Sequence, residues 1–271
     1  MNYIETMKTR RSVRTYLREP ISKSDLDKIT KITKDITNPF DAGTRLCLVD
    51  NETADERLGT YGMMRGAKTF IVGCVAPGDM NIEGFGYVFE KAILNLTAMG
   101  LGTCWLGGTF KRGVFARAAK LTDGEIIAAV MPVGHINEKR TVLERIVANG
   151  AGARKRIDFS ELFFDGNFET SLELPEGDLR TCLQMVRIGP SASNKQPWRI
   201  VKVGDNLHFY LAKTPGYAGN IAYGFEMQRI DMGIAACQFE HAARELGLKG
   251  GIVLSDPKIP TKFEYSFTWQ G

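Results

Sequence analysis

The chain has 271 residues, of which 44% are hydrophobic and 24% charged, a composition typical of a soluble globular protein with one large or two small domains. Its net charge of +4 is too small to indicate nucleic-acid binding, and its apolar runs are too short to span a bilayer. The charged N-terminus lacks an apolar secretory signal, and five cysteines without Cys-x-x-Cys spacing argue against a disulfide framework or a zinc ribbon. The three histidines are scattered, so no metal site is predicted, and a reducing cytoplasm is the expected location.

The first 150 residues predict an alternation of helices and strands. Ser22 and Asp25 form a capping pattern, and apolar residues then recur at helical spacing until Pro39 ends the helix. Gly100 is placed to end a second, longer helix that begins at Glu83. The strands predicted from β-branched and apolar runs are 45–50, 69–75 and 125–134, and a short helix is expected after the glycine-rich segment 100–108.

A similar alternation follows a less regular stretch at 149–178, which we interpret as an arm or linker. Apolar residues from Leu179 to Val186 predict a helix that ends at Gly189-Pro190. The other predicted elements are a hairpin of strands 198–203 and 207–212, a long helix at 223–246, and strands at 251–255 and 263–269.

The order of these elements suggests an internal repeat. The long helices end in Gly100-Leu101 and Gly247-Leu248, which are 147 positions apart. The first helices begin at Asp25-Leu26 and Asp178-Leu179, which are 153 positions apart. These similar offsets predict two related halves fused in one chain, although the order alone leaves open a coincidence between two ordinary α/β stretches.

Two basic clusters carry the residue types of an anion site. In an extended chain, Arg10, Ser12 and Arg14 would point the same way and bind a phosphate through charge-assisted hydrogen bonds, with Arg11 beside them. Arg154-Lys155-Arg156 would form a second arm of that clamp. Both clusters are equally typical of a solvated basic surface.

The glycine-rich segment 100–108 and the segment PSASNKQPW at 190–198 predict contacts with an uncharged part of a ligand. Glycines let backbone N–H groups approach a ligand, and Trp105 adds a large ring, but the spacing matches neither a phosphate loop nor a dinucleotide fingerprint. Serine, asparagine and glutamine between two prolines offer donors and acceptors suited to the edge of a heteroaromatic ring. Each segment also has a purely structural interpretation. The segment 100–108 is equally typical of a helix end followed by a turn, and 190–198 could be a polar turn between a helix and a strand. No Ser-His-Asp set or acid–base carboxylate pair is evident, so no catalytic residue is predicted.

Together these segments resemble the flavin-dependent nitroreductase family. RRSVRTY resembles the family's Arg-x-Ser-x-Arg segment, PSASNKQPWRI its PSxxNxQPW motif, NLTAMGLGTCWLGG the helix and loop along the flavin, and AGARKRIDFSELFF its closing basic segment and arm. In the ordinary family the Pro-Ser motif follows the first helix. Here it appears only in the second half, which lacks the arginine segment. The chain therefore resembles a whole homodimer fused into one polypeptide.

This resemblance implies an α+β fold of mixed, mainly antiparallel sheets flanked by helices, built from two related halves as a pseudo-dimer. The halves would be 1–150 and 178–271, joined by a basic segment and crossing arm at 151–177. FMN is the implied cofactor, held by residues that match the family's motifs. For its phosphate and ribityl chain these are Arg10, Arg11, Ser12, Arg14, Arg154 and Arg156. For its ring they are Trp105, Leu106, Gly107, Gly108, Pro190, Ser191, Ser193, Asn194 and Gln196, with the Gly107 N–H near flavin N5.

The activity implied by the resemblance is an NAD(P)H-driven reduction of nitro, quinone or similar small acceptors. NADH or NADPH would pass a hydride to flavin N5 in a ping-pong reaction. The alternatives are a non-catalytic flavin-binding or flavin-sensing protein, and a specialised flavin reaction such as reductive dehalogenation. The expected partner is a small-molecule electron acceptor, with neither nucleic acid nor membrane. A fused chain allows a monomer, and further self-association stays open.

Overall fold

The computed structural model describes residues 1–138, 155–173, 176–217 and 224–271, in which helices alternate with mostly antiparallel strands. The helices are α1 (Tyr3–Thr9), α2 (Lys23–Asp35), α3 (Asn81–Ala98), α4 (Arg112–Ala118), α5 (Phe159–Leu162), α6 (Gly177–Ile188) and α7 (Met227–Glu245), with a 3-10 turn at Ala192–Asn194. The strands are β1 (Thr44–Asp50), β2 (Thr69–Val75), β3 (Leu101–Thr103), β4 (Ile126–His135), β5 (Phe163–Asp165), β6 (Trp198–Val203), β7 (Asn206–Leu211), β8 (Gly251–Val253) and β9 (Glu264–Gln270). Within these described ranges no helix is long and apolar enough to cross a membrane.

Two sheets with the same strand order form the framework. The first runs β1-β2-β4-β3 and the second β5-β6-β7-β9-β8, and every pairing is antiparallel except that of β5 with β6. Without β5, the second sheet repeats the first strand for strand. The helices repeat too, because α2 and α6 precede each sheet's first hairpin while α3 and α7 follow it. The predicted α+β fold with two related halves is thereby confirmed.

One hydrophobic core spans both halves, with α3 and α7 side by side at its centre. Both helices are buried over most of their length. The sequence of α3 is largely apolar, whereas α7 also buries polar side chains, among them Gln228, Gln238 and His241. Phe89 and Ile93 of α3 and Ile234 and Phe239 of α7 are each no more than 2% exposed. A second, smaller cluster packs α4 against the first sheet. The two halves therefore share an interior and leave their polar loops at the seam between them.

The structure adds one helix that was not predicted and corrects one predicted boundary. The basic N-terminus contains α1, whose first turn is capped by the side chain of Asn2. The long helix of the second half begins at Met227 and not at position 223, because Glu226 has an extended backbone that serves as its N-cap. The other predicted helices and strands of both halves lie within a few residues of their expected places.

The arm predicted as irregular at 149–178 contains regular structure in its described part. There α5 leads into β5, which pairs in parallel with β6 and extends the edge of the second sheet. Phe163 is fully buried and packs against Phe159, with ring centroids 4.3 Å apart and the rings tilted by 51°. The arm is thus anchored by aromatic burial and by strand pairing, neither of which its mixed composition revealed.

Candidate functional site

A cleft of about 430 Å³ lies at the seam between the two halves and falls in the size range of small-molecule sites. The first half lines it with Arg10, Ser12, Arg14, Trp105, Leu106, Gly107, Gly108, Thr109 and Ala129. The arm and the second half line it with Arg156, Pro190, Ser191, Ala192, Ser193, Asn194, Tyr217, Met227, Ile230, Asp231 and Ile234. Four segments that stand far apart in the sequence therefore meet at one cavity, together with the single residues Ala129, Arg156 and Tyr217.

The N-terminal arginines reach the cleft because their segment is extended beside β3. The Val13 N–H donates to the Thr103 carbonyl at 2.8 Å, and Ser12 pairs with Thr103 as an isolated parallel bridge. Alternation along this extended stretch directs Arg10, Ser12 and Arg14 to the cleft. It sends Arg11 to the opposite side.

Arg11, expected beside the phosphate, lies outside the cleft. Its guanidinium binds the Glu138 carboxylate at 2.7 Å. Arg11 instead lines a separate cavity of about 180 Å³. The structure therefore does not bring this predicted site residue to the others.

Arg156 crosses from the arm to the polar segment of the second half. Its guanidinium donates to Asn194 Oδ1 at 2.6 Å and to the Ile188 carbonyl at 2.9 Å. Burial lowers the pKa of Arg156, and repulsion from Arg10 and Arg187 lowers it further. Several cations thus converge on the cleft, which favours an anionic group there. Arg154, the other predicted arm of the clamp, lies outside the described residues.

The segment 190–197 is held by its own side chains in a strained conformation. Ser193, Asn194 and Gln196 have φ values of 49°, 54° and 48°, in the left-handed region that non-glycine residues rarely adopt. The Gln196 side chain accepts from the Ile157 N–H at 3.0 Å and donates to the Asn194 carbonyl at 3.1 Å. Gln196 is 2% exposed and does not line the cleft. It positions the segment, whereas Pro190, Ser191, Ser193 and Asn194 reach the cavity.

The glycine-rich loop forms the wall on the first-half side. Leu106 and Val130 exchange both backbone hydrogen bonds at 3.0 Å, which fixes the loop to β4. A Cβ on Gly107 would lie only 2.8 Å from the methyl carbon of Met227 on α7. A glycine at this position therefore lets the loop approach the second half across the cleft.

A family model described as "Putative TM nitroreductase" matches residues 2–243. The chain belongs to this nitroreductase family. A Thermotoga maritima protein described as a "putative nitroreductase" aligns with a TM-score of 0.62 and 19% identity, over 99% of this chain and 93% of that one. A Bacteroides fragilis nitroreductase with bound FMN aligns with a TM-score of 0.42 and 19% identity, over 52% of this chain and 92% of that one. No curated protein matches the sequence.

The Thermotoga structure shows that this chain has the same fold along nearly its whole length. Membership of the family supports an oxidoreductase activity. Motif comparison missed two residues at this site, because both lie on long helices of the core. Asp231 lines the cleft, and Glu90 binds Trp105 of the cleft wall from behind. Each is an acidic residue next to an apolar one, Phe89 or Ile230. Glu83 and Glu240 of the same helices share this sequence signal.

Glu90 joins the two long helices to the loop of the nitroreductase cleft. It is fully buried, and its two carboxylate oxygens accept from Trp105 Nε1 at 2.9 Å and from Gln238 Nε2 at 2.8 Å. Burial raises the pKa of Glu90, while the charge of Arg10 and the two hydrogen bonds act in the opposite direction. Glu90 therefore holds Trp105 in its place in the cleft wall.

Proposed function

We propose that this nitroreductase is an FMN-dependent oxidoreductase in which NADH or NADPH reduces the flavin and a small nitro, quinone or similar acceptor reoxidises it. The observation that carries the proposal is the meeting of Arg10, Arg14 and Arg156 with the polar segment 190–194 at one cleft. These features come from opposite halves of the chain. The site that the family resemblance divides between two subunits thus has both of its sides in a single polypeptide.

The chemistry of the cleft suits each part of FMN. Arginines at one end suit a phosphate, because guanidinium groups bind phosphate oxygens with charge-assisted and bidentate hydrogen bonds. Ser191 and Asn194 suit the polar edge of the ring. The loop at 105–108 and the apolar side chains of Ile230 and Ile234 also line the cleft. Such largely apolar walls suit the faces of a planar heteroaromatic ring.

When bound, FMN would supply the hydride chemistry of the reaction. In the proposal, Arg10, Ser12, Arg14 and Arg156 bind the phosphate and ribityl chain, and Arg156 also fixes Asn194. The positive charge of these side chains favours the negative charge that a flavin gains on reduction. The Gly107 N–H is proposed to face flavin N5. The Arg112 guanidinium donates to the carbonyl of the same residue at 3.1 Å, on the following peptide, and so anchors the loop at Gly107.

The proposal needs no side-chain acid or base for hydride transfer, and no residue is proposed to be catalytic. Gln196 is proposed to act by positioning the 190–194 segment, and Arg154 is proposed to act beside Arg156. One chain holds both sides of the cleft, so we propose that a monomer suffices for binding. The acceptor is proposed as a class, a small molecule able to stack in the cleft.

The test is the visible spectrum of the purified protein, followed by titration with FMN. We expect flavin absorbance or FMN uptake, bleaching by NADH or NADPH under anaerobic conditions, and recovery of the colour on addition of a nitroaromatic compound or quinone. A protein that takes up no FMN would overturn the proposal. Uptake without bleaching by either nucleotide would indicate a flavin-binding protein, and bleaching without reoxidation by these acceptors would indicate a specialised reaction.

A further inference from the structure

Asp231 is a buried carboxyl group in the wall of the cleft. It lies on α7 and is 1% exposed. Its Oδ1 accepts a hydrogen bond from the Ala192 N–H at 2.8 Å, which ties α7 to the polar segment at 190–194. Among the described residues, Oδ2 has no hydrogen-bond partner, although it is buried. A buried polar atom without a hydrogen-bond partner is rare in native proteins, and a bound ligand is one source of the missing partner.

The surroundings of Asp231 favour its neutral form. Burial raises its pKa well above the ordinary value of 3.8, and the single hydrogen bond from Ala192 opposes this only in part. Within the described ranges no lysine, arginine or histidine forms an ion pair with it. The elements around α7 carry further charged groups. They include Arg229 on α7 itself, Glu83, Glu90 and Lys91 on α3, Asp178, Arg180 and Arg187 on α6, Lys195 after the 3-10 turn, and the cleft residues Arg10, Arg14 and Arg156.

Most of these charged groups already have contacts elsewhere. Arg229 binds Glu83 at 2.8 Å, and Glu90 accepts from Trp105 and Gln238. The arginines that line the cleft face its cavity, where the proposed phosphate binds. None of these contacts satisfies Asp231 Oδ2.

We propose that Asp231 is a ligand-binding residue that acts as a neutral carboxylic acid. Its Oδ1 is held by the Ala192 N–H, and its Oδ2–H donates to an acceptor atom, a carbonyl oxygen or ring nitrogen, of the heteroaromatic ring in the cleft. This inference rests on the proposed FMN function and adds a contact that none of the sequence motifs contains. A neutral donor satisfies the buried oxygen without placing a negative charge beside a ring that becomes negative on reduction.

The Asp231→Asn variant tests whether the Oδ2 position of Asp231 donates a hydrogen bond to the ligand or accepts one from it. The Ala192 N–H requires an acceptor, so the amide oxygen takes the place of Oδ1 and the NH₂ group takes the place of Oδ2. The variant is therefore a permanent donor at the position of Oδ2. We would titrate wild type and variant with FMN, following the quenching of flavin fluorescence, from about pH 5 to pH 9.

We expect the variant to bind FMN within about threefold of wild type at the acidic end. As the pH rises, the wild-type affinity should fall relative to the variant, toward a limit of about tenfold per pH unit, because ionised Asp231 can no longer donate. Titration of the FMN phosphate affects both proteins equally, so the ratio of their affinities isolates Asp231.

Three outcomes would overturn the inference. A folded variant that loses tenfold or more in affinity at every pH would show that Oδ2 accepts a hydrogen bond as a carboxylate. A ratio that changes in the opposite sense, with the variant losing affinity relative to wild type as the pH rises, would show that the ionised carboxylate is the form that binds the ligand. Absence of FMN binding by wild type at any pH would overturn the proposed function and this inference with it, a result distinct from the other two. Circular dichroism of each protein establishes that it is folded.

Discussion

Gly86 of α3 and Gly233 of α7 make the same contact in opposite directions. A Cβ on Gly86 would overlap the carbonyl oxygen of Ile230, and a Cβ on Gly233 would overlap that of Glu83. Gly233 follows Gly86 by 147 residues, and Ile230 follows Glu83 by the same number. Reciprocal contacts of this kind are the mark of a two-fold axis between identical subunits. Here the corresponding pseudo-two-fold axis lies within one chain. It passes between α3 and α7 where Gly86 and Gly233 let the two backbones come close together.

We predict that Gly233→Ala destabilises the protein. The added methyl group enters a backbone carbonyl in a close-packed crossing, and such over-packing costs about 1–3 kcal/mol. The measurement is the free energy of unfolding in a denaturant titration. The control is Gly113→Ala in α4, where the nearest group to the new methyl is the Arg117 guanidinium at 3.7 Å, and where replacing a helical glycine should be neutral or stabilising. Equal stability of the two variants would contradict the prediction.

We predict that Arg10→Ala and Arg156→Ala each weaken FMN binding about tenfold or more. Both side chains line the cleft, and a hydrogen bond to a charged group contributes about 1.5–3 kcal/mol. Arg156→Ala should have the larger effect, because it also releases Asn194. Arg11→Ala is the matched control, since this neighbouring arginine binds Glu138 outside the cleft and its loss should leave FMN affinity unchanged. If Arg11→Ala weakened FMN binding as much as Arg10→Ala, the loss would come from the lower net positive charge and not from a direct contact, which would contradict the prediction.

We predict one FMN per chain. The position of the second half's polar segment is taken in the first half by Asn38, Pro39 and Phe40. Phe40 packs on Phe267 with centroids 5.6 Å apart, and Asn38 Oδ1 accepts from the Phe40 N–H at 3.0 Å, so these groups are engaged in the fold. The reciprocal glycine segment at 247–251 has no arginine row in front of it. Flavin released from denatured protein should approach one per chain, and two per chain would disprove the prediction.

We predict that Asp231→Asn raises the melting temperature at about pH 8. Burial raises the pKa of Asp231 in the folded state above its ordinary value of 3.8, so the unfolded chain releases this proton first as the pH rises. The contribution of Asp231 to stability is therefore complete below about pH 3.8 and is lost as the pH rises toward the folded-state pKa. The advantage of the variant should be large at about pH 8 and should vanish on acidification.

Asp25→Asn provides a control of opposite sign for the same measurement. Hydrogen bonds from Lys28 and Ser22 lower the pKa of Asp25, so its contribution to stability is present above the ordinary pKa of 3.8 and is lost on acidification. The Asp25 variant should therefore be slightly less stable than wild type near neutral pH. If the Asp231→Asn variant also had a lower melting temperature than wild type at every pH, the claim that Asp231 is buried as a neutral acid would be wrong.

The sequence by itself determined the local features of this protein. Periodicity and capping predicted α2, α3 and the hairpin of β6 and β7, since these depend on residues a few positions apart. The alternation of Arg10, Ser12 and Arg14 also follows from a local rule, the two-residue period of an extended chain. The Gly-Leu repeat predicted the duplication, because the two halves keep equivalent residues at equivalent positions.

Tertiary structure alone decided which polar residues belong to the cleft. The local alternation points Arg11 away from the cleft, but only the fold brings Glu138, far along the chain, to bind it. Gln196 is buried because the arm covers it. Asp231 enters the cleft wall only because α7 packs beside the 3-10 turn, and α5 and β5 form only because the second sheet offers an edge. Each of these results depends on contacts between residues distant in sequence, and the energy of such a contact exists only once the whole chain has folded.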